Sequence, residues 1–367
     1  MLKLLCNIIP AEESFILKAA VWYGKHDIRV ENSEEPIIKP GKIKVKVAWT
    51  GICGSDLHAY HGAPVVQVDE PHPVTGEMAP LILGHEFAGF IHEIGEGVVG
   101  FSVGDRVTIE PVIRCGNCNS CLKGMPNLCD QMGFVGLHSN GGFTEYTLVD
   151  PHMVHKLPDN ITLEEAAVIE PTAVAFHAVK LSQMKVGSTV AVYGVGPIGL
   201  LTIQCAKAAG ASHIYAVDVS NERLHKALEI GATTIINAAE EVNLVERIQA
   251  ETGGGVDIAF ECAGAEVTVN NALASIAKTG QVVIESIIPQ PIKVDIMQLT
   301  LKEANLMATI GYRNVYKEVI AMIASGKLDV KSIITKKIAL DDIVEEGFNA
   351  LTNDKSQAKI LVSTYKA

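Results

Sequence analysis

Cys115, Cys118, Cys121 and Cys129 fall within fifteen residues, close enough in the chain for four thiolates to close on one ion. The intervening stretches are two, two and seven residues, and Gly116 and Gly124 ease the turns between them. A tetrahedral all-thiolate zinc site keeps no open position, so its role would be structural. Two disulfides or reduced bystander thiols are the competing readings of such a cluster. Cys53, His85 and Glu170 form a second, dispersed set, with Glu86 beside His85. Three protein ligands and an exchangeable water suit a catalytic zinc. Spacing leaves His85 equally open to being a buried, satisfied histidine. One thiolate and one carboxylate would neutralise a zinc dication, leaving the other glutamate behind the ligands or as a ligand exchanged for water. Asp56, three residues after Cys53, is a candidate acceptor for the His85 ring N–H.

A third constellation lies in the second half of the chain. Gly194-Val195-Gly196-Pro197-Ile198-Gly199 follows the apolar run Thr189–Tyr193 and opens an amphipathic segment that stops at Gly210. Glycines at these intervals allow a tight turn, close approach of a pyrophosphate and close packing of helix on strand. The following helix N-terminus offers unpaired N–H groups to phosphate oxygens. A second strand then ends in Asp218, 19 residues beyond Gly199, where a carboxylate can accept from an adenosine ribose. That acid favours NAD over NADP, because it would stand against a 2′-phosphate with like charge. Arg223 is expected to stack near the adenine or face solvent.

The surrounding elements must bring these groups together. From Lys18 to about Pro158 the pattern is β-rich and punctuated by glycine, with Ile43–Trp49 alternating at period two. Gly51 to His58 is a turn leading into a short helix, and residues 62–80 are too polar and proline-rich for regular structure. Thr162 to Glu165 is a capping box for a short helix over 166–169. Pro171 then disfavours helix at Glu170, which places that carboxyl at a helix break. Strands at 189–193, 213–218, 233–236, 256–261, 281–285 and 305–310 alternate with helices, the pattern of a doubly wound parallel sheet. The segment 311–367 ends in the strand 359–363 and is expected to fold back on the first domain. The predicted organisation is an extension over 1–16, a zinc-bearing domain over 17–171, a dinucleotide domain over 172–310 and a return segment over 311–367.

Composition excludes other classes. A net charge of −12 argues against nucleic acid or an anionic membrane as the partner. No apolar run is long enough to span a bilayer, and the N-terminal stretch lacks a small-residue cleavage site. A chain of 367 residues does not need disulfides, so eight cysteines fit a reducing, cytoplasmic setting.

The residues together resemble the medium-chain, zinc-dependent alcohol and polyol dehydrogenases. Gly84-His85-Glu86, Gly89, Gly95 and Val98 match that family's zinc signature, and Cys53-Gly-Ser-Asp-Leu-His58, the cysteine lobe and the glycine fingerprint follow its order. The resemblance covers Lys18 to the C-terminus and implies an α/β fold: a GroES-like, β-rich catalytic domain joined to a Rossmann domain. Glu170-Pro171 stands where familiar alcohol dehydrogenases carry a cysteine ligand, and Gly54 replaces a basic residue that many direct at the pyrophosphate. The 62–80 segment, Gln131–Leu137 and Ile310–Arg313 look most like the branch that interconverts (R,R)-2,3-butanediol and acetoin. Sorbitol-type polyol and threonine dehydrogenases are the alternatives within the family, and a non-catalytic dinucleotide-binding protein is the alternative outside it. The resemblance further implies one catalytic and one structural zinc, NAD, a small diol or hydroxyketone as substrate, and a homodimer or homotetramer. It also implies a proton relay from Ser55 through the cofactor ribose to His58. The other ten histidines have no ligand-like company. Tyr312 and Arg313 are placed in the cleft between domains or in buried packing.

Overall fold

The computed structural model describes residues 16–66, 68–288 and 290–364; nearly all of the expected N-terminal extension lies outside the described residues. In the second half of the chain six strands form one parallel sheet. Its spatial order is Thr234–Asn237, His213–Asp218, Thr189–Tyr193, Val256–Glu261, Ile276–Ile284, Asn305–Ala308. Numbered along the chain that order is 3-2-1-4-5-6, the doubly wound arrangement, with its crevice between the first and fourth strands. The apolar β-branched runs are buried on both faces, as a parallel sheet covered by helices requires. The fifth strand begins earlier than 281 because Ile276 already pairs with Val256, ahead of a register shift to Ile258–Gln281.

The first half builds a sheet in which Ile43–Gly51 lies between Glu86–Ile94 and Lys359–Ser363. The last of these strands also pairs in parallel with Ile334–Ala339. The tail therefore completes the β-rich sheet, as its apolar ending suggests. Tyr316–Ala324 does something different: it packs on the helix Ile169–Leu181 and shares an apolar core with the parallel sheet. Residues 62–80 contain no helix or strand among the described residues.

The capping box forms as expected, with the Thr162 hydroxyl accepting from Glu165 N–H. The helix it starts is Leu163–Ala167, and the break falls at Val168, not at Glu170. Glu170 and Pro171 lie inside the first turn of Ile169–Leu181. Proline is tolerated there because the first N–H groups of a helix have no partner to lose.

Candidate active site

Three structural elements deliver the metal-type donors to one place. Cys53 immediately precedes the helix Gly54–Tyr60, and its backbone N–H donates to Asp56 Oδ2 at 2.9 Å, which fixes the turn. Glu86 opens the strand Glu86–Ile94, with His85 just before it. The Cys53, His85 and Glu86 ligand atoms all lie within 4.8 Å of one another. Glu170 is outside that cluster, but it is 4% exposed and close enough for His85 and Glu86 to act on its charge. Burial pushes its carboxyl up to about 7; the His85 charge opposes this and the Glu86 charge adds to it.

Both ring nitrogens of His85 face a polar side chain. Nε2 lies 3.1 Å from Ser55 Oγ, and Nδ1 lies 3.5 Å from Asp56 Oδ1. Burial disfavours the imidazolium, but the Asp56 carboxylate and Cys53 together raise its pKa well above the ordinary value. His85 Nδ1 and Asp56 Oδ1 are both buried without a hydrogen bond in this arrangement. A cation on the Cys53–His85 side would let the ring serve as a neutral ligand with its remaining N–H directed at Asp56. One thiolate, one imidazole and buried carboxylates fit zinc.

Glu86 is already neutralised by a residue that spacing in the sequence does not reveal. Lys359 Nζ contacts Glu86 Oε1 at 2.7 Å and Oε2 at 2.6 Å, and also donates to the Ile52 carbonyl at 3.1 Å. Lys359 is 2% exposed and Glu86 is completely buried. The pair crosses over Gly51 on the intervening strand. A Cβ there would stand 2.1 Å from Glu86 Oε2 and 3.2 Å from Lys359 Cδ, so only glycine leaves room.

The four clustered cysteines meet as their spacing suggests, with all four sulfurs within 4.8 Å of one another. None of the four is in a disulfide. Backbone N–H groups of Cys115, Cys118, Cys121 and Gln131 point at the sulfurs. Backbone donors bring the Cys118 thiol down to about 6, while burial and then the Cys118 sulfur drive Cys121 up to about 12. Four thiolates this close cannot all ionise without a cation between them. The lobe is tied down by Asn127, whose side chain donates to the Ile310 carbonyl at 2.8 Å. Arg313 reaches Asn127 rather than the cleft, whereas Tyr312 is buried beside Glu170 with its hydroxyl unpartnered.

At the glycine loop a Cβ on Gly199 would meet the Gly194 carbonyl at 2.0 Å, which enforces close helix–strand contact. A Cβ on Gly196 would meet only Arg223 Nη1, at 3.9 Å, so the loop backbone is open to a phosphate. Pro197 and Ile198 begin the helix behind it. Arg223, expected near the adenine or in solvent, is held over this loop, its Nε donating to the Lys355 carbonyl at 3.1 Å. Asp218 ends its strand as expected and is 9% exposed. Its Oδ2 accepts from Val195 N–H at 2.8 Å, and Oδ1 from Val219 and Ser220 N–H. Three of about four acceptor positions on a carboxylate are thereby used, leaving room on Oδ2.

Residues 39–159 match the family described as alcohol dehydrogenase GroES-like domain, and residues 197–325 match zinc-binding dehydrogenase. The chain is 47% identical to an (R,R)-butanediol dehydrogenase of Bacillus subtilis, over 94% of this chain and 99% of that one. The chain belongs to the zinc-binding alcohol dehydrogenases. A crystal structure of 2R,3R-butanediol dehydrogenase from Bacillus subtilis superposes with a TM-score of 0.91 at 46% identity, covering 95% of this chain and 100% of the other. A zinc-binding dehydrogenase of Sinorhizobium meliloti bound to NADP is 32% identical with a TM-score of 0.87, covering 95% of this chain and 99% of that one. This dehydrogenase is thus an oxidoreductase with the family's two-part fold. Ser55 and His58 lie three residues apart on one short helix, Ser55 half-buried at His85 and His58 exposed. Two histidines that spacing gives no ligand company, His72 and His138, pack 5.0 Å apart near the site. Burial, then the His72 and His85 charges, brings His138 down to about 4. Among the described residues, no helix of the dehydrogenase is long and apolar enough to cross a membrane.

Proposed function

We propose that the dehydrogenase oxidises a vicinal diol to a hydroxyketone with NAD, and that (R,R)-2,3-butanediol and acetoin are the pair. The choice of substrate is carried by the likeness, along nearly the whole chain, to the butanediol enzyme of Bacillus subtilis. Cys53, His85 and Glu170 would hold one zinc, with Glu86 kept behind them by Lys359. Charge supports this division: Cys53 and Glu170 together neutralise a dication, and Glu86 and Lys359 neutralise each other. Cys115, Cys118, Cys121 and Cys129 would hold a second, structural zinc. When bound, the first zinc polarises the substrate hydroxyl as a Lewis acid and NAD accepts the hydride.

The protein's own part is positioning and proton transfer. Ser55 Oγ, at the edge of the donor cluster, would accept the hydroxyl proton as it gives up its own along a relay that ends at His58, one turn along the helix, and solvent. Gly194, Val195, Gly196, Pro197, Ile198 and Gly199 hold the pyrophosphate end, with Arg223 above the loop. Asp218 accepts from a ribose hydroxyl and opposes a 2′-phosphate. The open sheet edge Asn305–Ala308 supports pairing of two copies into a homo-oligomer, and free thiols support a reducing cytoplasmic setting.

The test compares kcat/KM for (R,R)-2,3-butanediol, meso-butanediol, sorbitol and threonine with both cofactors. Butanediol with NAD should lead the panel by at least about tenfold, or ~1.4 kcal/mol. Asp218→Asn keeps the acceptor for Val195 N–H and removes the charge, so the NAD preference should fall by a similar factor. Parity among the polyols, or an unchanged cofactor ratio in Asp218→Asn, would overturn the corresponding part.

A further inference from the structure

Two carboxyls stand near each other at the carboxyl ends of the parallel sheet, and they differ in how they are held. Glu261, at the end of Val256–Glu261, is saturated: Oε1 accepts from Ala263 N–H at 3.0 Å, Gly264 N–H at 2.9 Å and Thr268 Oγ1 at 2.6 Å, and Oε2 from Ser286. Glu285, just past Ile276–Ile284, has neither backbone donors nor a cation among the described residues. Its oxygens lie 3.2 and 3.1 Å from Thr202 Oγ1, and Oε1 lies 3.8 Å from Cys262 Sγ. Thr202 Oγ1 is also 3.0 Å from the Ile198 carbonyl. A hydroxyl carries one proton, so Thr202 cannot donate to the Ile198 carbonyl and to Glu285 at once, and among the described residues Glu285 has only that shared hydroxyl and the Cys262 thiol as donors. That is much weaker support for a carboxylate than the four donors on Glu261, so desolvation favours the protonated form of Glu285. Burial raises its pKa well above the ordinary value, Thr202 and Cys262 oppose this, and Glu261 adds to it.

The place of this neutral acid gives it a partner. Side chains alternate along a strand, and Val283 and Phe260 pack on the face covered by the helices Ile169–Leu181 and Pro197–Ala208. Glu285 and Cys262, two residues further on, are on the same face and half-buried. Glu170 projects from the first of those helices. Asp218 assigns the adenosine half of a dinucleotide to the other side of the crevice, so the nicotinamide half comes to the Cys262–Glu285 side. The titratable groups facing Glu285 are Cys205 from the helix and Glu261 and Cys262 from the adjoining strand, and none is cationic.

Resting on the cofactor reading above, we infer that Glu285 is a proton-linked nicotinamide-binding residue, ionising when the cationic oxidised ring binds and staying protonated beside the neutral reduced ring. The step is the loss of one proton from the carboxyl to solvent, with no redox change in the protein. An ionised carboxylate favours a cationic neighbour, and a protonated one is indifferent to a neutral ring.

Calorimetric titration of the zinc-loaded enzyme with NAD and with NADH, in buffers of different ionisation enthalpy between about pH 6 and 9, counts the protons released and gives both dissociation constants. Wild type should bind NAD about tenfold tighter at the top of that range than at the bottom. Glu285→Gln, which keeps size and hydrogen-bonding capacity, should flatten that dependence. It should also release up to about one proton fewer on binding NAD and leave NADH affinity within about twofold. Glu285→Val, equally unable to ionise, should reproduce these results and guards against a disturbance peculiar to the amide. Equal proton release and equal pH slopes in wild type and both variants would overturn this inference alone. Failure of wild type to bind either nucleotide would overturn the cofactor reading and this inference with it.

Discussion

The two metal-type sites of this dehydrogenase are built in opposite ways. The cysteine lobe draws its four donors from fifteen consecutive residues, and backbone N–H groups of the same turns support the sulfurs. The cleft site draws on a helix start, a strand start, a second helix much further along the chain, and a lysine 273 residues from its partner Glu86. A local site can be lost without moving the rest of the molecule, whereas a dispersed one depends on several elements staying in register. The lobe should therefore act on stability and the cleft on turnover.

Removing a cleft donor is the strongest way to break that comparison. Cys53→Ala or His85→Ala should lose one zinc equivalent and about 10⁴-fold in kcat/KM, ~5.5 kcal/mol of transition-state stabilisation. Cofactor binding should persist, because the glycine loop and Asp218 lie on other elements. Metal analysis, kinetics and NADH fluorescence on the same preparations check all three. Full metal content with normal turnover would remove these residues from the site.

Next in size is the buried pair behind the cleft. Lys359→Met leaves Glu86 charged and unpaired in the interior and should cost about 3–5 kcal/mol in urea unfolding. Adding Glu86→Gln to it should recover a large part of that loss. If the double variant is as unstable as the single one, the pair is not the source.

Cys118→Ser sharpens the contrast from the other side. Loss of one lobe thiolate should release the second zinc and lower stability by about 3 kcal/mol, while kcat per folded molecule stays within about threefold of wild type. A larger loss of kcat than of stability would erase the distinction between the two sites.

The smallest expected effect separates general stability from both sites. His177 is 2% exposed with Nε2 unpartnered, and burial, then the Arg313 and Lys180 charges, brings it down to about 4. Because the folded pKa is depressed, the unfolded chain binds more protons between about pH 6.5 and 4. Stability is thus lost as pH falls through that window, by about 1–2 kcal/mol from this residue. His177→Leu should flatten that part of the profile of unfolding free energy against pH, and an unchanged profile would assign the acid sensitivity elsewhere.

What residues alone determine here is whatever short-range physics dictates. The cysteine intervals, the glycine loop with its following proline, the strand ending in Asp218 and the Thr162 capping box each depend on groups a few residues apart. The helix break expected at Glu170 falls instead at Val168, because the bias of a residue before proline is weaker than the tolerance of a helix first turn for proline. Only the tertiary structure brings Lys359 to Glu86 across Gly51, directs Arg313 to Asn127 rather than the cleft, and seats Glu285 against Thr202 and Cys262. Each of these contacts joins residues far apart in the chain, and their chemistry follows from burial and from which strands become neighbours. Neither is set by local spacing, because the same lysine or glutamate on an exposed strand would be an ordinary solvated charge.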